Sequence, residues 1–75
     1  MIKIYAITEE NNKYYWTEIH HKRPRAYMTG YTFEQLMKYV KEELYWQDIN
    51  EEEVLGFEIT DKHCWTESIM RNKGE

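Results

Sequence analysis

The side chains that could ligate a metal or carry a nucleophile are few: His20, His21, His63 and Cys64. Adjacent strand residues point to opposite faces, so His20-His21 and His63-Cys64 each offer one ligand to a common point, where a tetrahedral zinc site needs four. No C-x2-C or H-x3-H spacing supplies the remainder. As a nucleophile and base, Cys64 with His20 or His21 lacks an orienting acid at a telling spacing and a glycine-rich oxyanion turn. Glycine occurs only at 30, 56 and 74, so no phosphate-cradling loop is available. The expectation is a chain that is not an enzyme and that uses no metal or cofactor.

Charge is the more informative feature. Residues 1 to 30 hold five Lys/Arg and three Glu, a net of +2; residues 31 to 75 hold five Lys/Arg and eleven acids, a net of −6. Between Lys41 and Lys62 every ionised side chain is a carboxylate: Glu42, Glu43, Asp48, Glu51, Glu52, Glu53, Glu58 and Asp61. Acids at 51 to 53 suit a helix start, Glu58 an outward strand position and Asp61 a turn. Glu42 and Glu43 do not fit that pattern, because the last turn of a helix disfavours negative charge by a few tenths of a kcal/mol. The residues expected to meet a partner are therefore Glu42, Glu43, Asp48, Glu51, Glu52 and Glu53, set against a protein with a basic surface. Duplex DNA carries a charge about every 1.7 Å of its axis, so a row of such carboxylates would also suit the phosphate track of a nucleic-acid-handling enzyme. An ordinary solubilising face has the same composition.

The basic counterpart is His20-His-Lys-Arg-Pro-Arg25. Arg23 and Arg25 could contact phosphates while Tyr14 and Trp16 stack bases, which gives a second reading as a small single-stranded nucleic-acid binder. The net charge of −4 works against it through long-range repulsion.

The elements that must position these groups follow from periodicity. Ile2, Ile4 and Ala6 alternate with Lys3, Tyr5 and Ile7, and Tyr14 to His20 resumes a β-rich run beyond Glu-Glu-Asn-Asn-Lys. A two-residue Asn11-Asn12 turn predicts a hairpin that pairs Ile4 with Ile19, Ala6 with Thr17 and Ile7 with Trp16. Its first face carries Ile2, Ile4, Ala6, Tyr15, Thr17 and Ile19; its second carries Lys3, Tyr5, Ile7, Tyr14, Trp16 and Glu18. Residues 20 to 30, with Pro24, read as a loop at the opposite end from the acidic band. Thr32 and Gln35 form a T-x-x-Q capping box, and Phe33, Leu36, Met37, Val40 and Leu44 recur at helical spacing, predicting a helix over 33 to 45. Asn50 caps a one-turn helix through the three glutamates, stopping near Gly56. Leu55, Phe57 and Ile59 alternate as a third strand. Residues 61 to 75 carry no clear period. Trp65, Ile69 and Met70 are expected to cover the hairpin's second face, the alternatives being a second copy of the chain or a ligand, with fraying from about residue 71.

The whole reads as one α+β domain over residues 1 to 75, a ββαβ unit whose three-stranded antiparallel sheet has one amphipathic helix packed on one face. Hydrophobic residues at 41% and aromatics at 16% exclude a disordered chain. A lone cysteine, no signal-peptide pattern and no long apolar run lead to a cytoplasmic expectation with no membrane contact. In general character, a very short acidic domain rich in Asn, Lys, Glu and Tyr, the chain is similar to the small accessory proteins of bacteriophages and mobile elements. Such proteins inhibit host defence or replication enzymes by binding them. That resemblance and the acidic band predict a protein-binding inhibitor, with self-association through Tyr5, Ile7 and Trp16 as a third reading.

Overall fold

A computed structural model describes residues 1–21, 23–61 and 64–71. Asn11 and Asn12 adopt φ of 54° and 67°, the pair of positive angles that a two-residue hairpin turn matching the sheet twist requires. That turn sets the register of β1 (Ile2–Glu10) and β2 (Lys13–Ile19). Ile4 faces Ile19, Ala6 faces Thr17 and Ile7 faces Trp16, as the hairpin pattern predicts.

The segment after β2 is more ordered than a plain loop. Residues Ala26–Gly30 form a short 3₁₀ turn, and its Met28 is wholly buried in the core. Helix α1 (Phe33–Trp46) then starts at Thr32 with both halves of the capping box made: Gln35 N–H donates to Thr32 Oγ1 at 3.2 Å and Thr32 N–H donates to Gln35 Oε1 at 2.9 Å. Its stripe of Phe33, Leu36, Val40 and Leu44 is buried against Ile4, Ala6 and Ile19 of the hairpin and Val54, Phe57 and Ile59 of β3 (Val54–Asp61).

The sheet has four strands where the sequence predicts three. Residues Trp65–Met70 form β4, giving the all-antiparallel order β2-β1-β3-β4. Trp65 and Ile69 turn toward the helix side and pack on the core, so β4 widens the sheet instead of folding over its second face. Of Trp65, Ile69 and Met70 only Met70 reaches that face, opposite Gly56. Gly56 consequently lies inside β3 and ends no helix. A Cβ there would come within 2.6 Å of Met70 Sδ and 2.9 Å of the Ile69 carbonyl oxygen. One residue of β3 is extra at this point, since Ile7 pairs with Gly56 but Thr8 with Val54.

Arg71 is held firmly to the fold, and the fraying expected beyond it lies outside the described residues. Arg71 N–H donates to the Leu55 carbonyl at 2.7 Å, and its guanidinium donates to the carbonyls of Val54 (Nε at 3.0 Å, Nη2 at 2.8 Å) and Glu51 (Nη2 at 2.9 Å). The same group lies 4.6 Å from the Phe33 ring centroid. Arg71 thus ties β4, β3, the turn before β3 and the start of α1 together. Among the described residues no helix is long and apolar enough to cross a membrane.

Candidate functional site

Three local devices shape the surface at the end of α1. Asp48 occupies the left-handed region at φ 64°, with its N–H bonded to the Tyr45 carbonyl at 3.1 Å and the Ile49 N–H bonded to the Leu44 carbonyl at 2.9 Å. This is the paired closure that usually takes glycine at that position. Ile49 returns to the core, and Asn50 Oδ1 accepts from Glu52 N–H at 2.9 Å, starting the 3₁₀ turn Glu51–Glu53. The predicted cap at Asn50 therefore forms, but the turn ends before Val54.

The six predicted acidic residues do not stand in one row. Glu42, Glu43 and Glu51 border a recess of about 690 Å³ that also takes in His21, Lys38, Tyr39, Lys41, Tyr45 and Trp46. Glu52 and Glu53 face away from it, toward Glu9 and Glu10 at the hairpin tip, around a second recess of about 400 Å³. Asp48 sits in the turn between the helix and the 3₁₀ segment. Glu9 and Glu10 are members that sequence reasoning misses. They arrive through the pairing of Thr8 with Val54, and no local pattern in the sequence reports that register.

The aromatic component is also larger than the sequence suggests. Tyr45 and Trp46 end α1 at 74% and 72% exposure, their rings edge to face with centroids 5.2 Å apart. A second line of rings runs over the helix layer: Tyr27 to Tyr31 at 6.1 Å, Tyr31 to Tyr39 at 6.1 Å, and Tyr39 stacked on His21 at 4.5 Å.

His21 brings the basic loop against the acidic helix end, so the two are neighbours and not opposite poles. Its Nε2 lies 4.0 Å from Glu43 Oε2, and its Nδ1 accepts from Arg23 N–H at 3.1 Å. With Nδ1 accepting, the proton on Nε2 is the one directed at the carboxylate. Glu43 Oε1 is buried without a hydrogen-bond partner among the described residues.

The nucleic-acid set is not brought together. Arg25 leads straight into the turn whose Met28 is buried with the helix-side core, which places the loop on the helix layer. Tyr14 and Trp16, at 57% and 53% exposure, lie on the other face of the sheet. That face surrounds them with Glu9 and Glu58, in a groove that also includes Ile7, Leu55, Ser68, Met70 and Arg71. In the self-association set, Trp16 is exposed, Tyr5 is half-buried and Ile7 is buried at 6% exposure.

Cys64 is exposed, and among the described residues no group of three or more His, Cys, Asp or Glu lies close enough to hold a metal ion. His63 falls outside the described residues. Comparison of the chain with protein-family models, curated proteins and solved structures gives no match in any of the three.

Proposed function

We propose that this chain is a protein-binding module whose contact surface is the end of α1 and the turn that follows, and that it acts as an inhibitor of a basic, nucleic-acid-handling or defence enzyme. The carrying observation is the exposed Tyr45-Trp46 pair, bordered by Glu42, Glu43 and Glu51 in one continuous recess. Two large rings held in solvent at a helix end contribute little to folding, and acids in that turn oppose the helix dipole. Together they suit one kind of partner group. An arginine can stack its guanidinium on Trp46 or Tyr45 while pairing with a neighbouring carboxylate. Aromatic residues are also the side chains that most often dominate binding energy at interfaces.

The test is affinity capture from host lysate with the wild-type chain, with Trp46→Ala and with Glu51, Glu52 and Glu53 all changed to Lys. Specific partners should be lost from both variants and released from the wild type by raised salt. Retention of every partner by both variants would refute the proposal. An anisotropy titration with single-stranded DNA and RNA at low salt addresses the nucleic-acid reading, for which binding by Arg23 and Arg25 together with Trp16 is the required result.

A further inference from the structure

Strand β2 is an edge of the sheet, and its backbone shows which part of that edge is already occupied. The side-chain amide of Gln47, at the end of α1, donates to the Glu18 carbonyl at 2.8 Å and accepts from His20 N–H at 2.9 Å. Glu18 and His20 therefore point their backbone groups away from β1. By the alternation of an antiparallel ladder, so do Tyr14 and Trp16. Gln47 acts as a one-residue strand that closes the edge at its far end. Nothing among the described residues closes the near end, where Lys13 to Thr17 are exposed on both faces of the sheet.

We propose that this free stretch pairs with the same stretch of a second copy, antiparallel about a two-fold axis at Tyr15, joining two four-stranded sheets into one. The open groups are self-complementary in that arrangement. Tyr14 of each copy meets Trp16 of the other as a hydrogen-bonded pair, so two N–H and two C=O groups per chain find partners. The alternative centred on Trp16 would bring Tyr14 against Glu18, whose carbonyl Gln47 already holds. Gln47 thus selects the register. Side chains agree with it: Tyr14 and Trp16 form cross-strand aromatic pairs on one face, Tyr15 meets its own copy on the other, and Lys13 lies opposite Thr17 with no like charges facing. The run carries no proline and a single lysine, the usual devices that block such edges.

The joint is small. Three aromatic side chains about half exposed offer roughly 300 Å² per copy, given about 150–250 Å² for a ring fully buried. A standard interface buries about 800 Å² per partner, so the association belongs to the weak class and is sought up to about 1 mM chain.

The test is sedimentation velocity over that range on wild type, Thr17→Lys and Thr17→Glu, with far-UV circular dichroism to verify folding. Thr17 is exposed, so both variants keep the monomer fold. Each substitution acts twice across the two-fold, once at each Lys13. Thr17→Lys should weaken the dimer about three- to five-fold and Thr17→Glu should tighten it by a similar factor. The amide protons of Tyr14 and Trp16 should gain exchange protection with concentration while those of β4 do not. A monomer at every concentration, or a dimer that both Thr17 variants leave unchanged, overturns the proposal.

Discussion

Replacing Arg71 with Met tests the claim that one side chain closes the fold. Methionine keeps an apolar stem over Phe33 and removes the guanidinium, which donates to the carbonyls of Val54 and Glu51 and lies 4.6 Å from the Phe33 ring. Val54 O accepts two of the three side-chain bonds and loses its partner, whereas Glu51 O loses one donor and keeps the Val54 N–H. The group is part-buried, which places the loss at Val54 near the lower end of the 1–3 kcal/mol range for an orphaned polar group, about 1 kcal/mol, and the bond lost at Glu51 adds about 0.5 kcal/mol. The ring contact adds about 0.5–1 kcal/mol. The expected cost is about 2–3 kcal/mol, which for a domain of this size is a fall in Tm of roughly 10–20 °C. Urea denaturation followed by tryptophan fluorescence measures it. Arg71→Lys should fall between, because one ammonium cannot reach both carbonyls with the same fork. An Arg71→Met variant within about 0.5 kcal/mol of wild type would show that the guanidinium does not hold these elements together, since ordinary surface substitutions already lie in that range.

Asp48→Gly should stabilise the domain by about 0.5–1 kcal/mol, by relieving the left-handed backbone and removing a negative charge from the helix end. If the acidic surface is used, the same variant should bind its partner less well, so thermal stability and affinity should move in opposite directions. Gly56→Ala should cost about 1–3 kcal/mol by the same denaturation measurement, because the added methyl meets the Ile69 carbonyl as well as Met70. Shortening Met70 to Ala in that background should recover only part of the loss, the backbone contact being untouched.

What could be read from the sequence was whatever neighbouring residues encode. The hairpin register followed from two asparagines tolerant of positive φ, and the helix start from Thr32 and Gln35. Strand β4 was not legible because its helix-side positions are Trp65, Glu67 and Ile69, with a charged residue in the middle of the apolar face. Glu67 is exposed there, beyond the cover of α1, so the alternation that reports a strand is broken. The site was legible only in its parts. Glu42, Glu43 and the three glutamates at 51 to 53 stood out by composition, but their division between two recesses depends on how α1 turns at Asp48. The arrival of Glu9 and Glu10 depends on pairing between β1 and β3, segments with the helix between them. Contacts of that range leave no local trace.

The strand order has a kinetic consequence. β1 is made before its partners, yet it is a central strand whose second partner, β3, follows only after β2, the crossing segment and α1. The β1-β2 hairpin can close within about 1–10 μs once both strands exist. Its Ile4 and Ala6 remain uncovered until α1 follows, and one side of β1 stays unpaired until residues 54 to 61 have been synthesised and leave the ribosome. Closing that long loop is the step with the larger entropic barrier, so β1-β3 docking should limit the folding rate. During that interval the nascent chain presents two open strand edges, and β1 and β2 are then most exposed to pairing with a neighbouring chain on the same message.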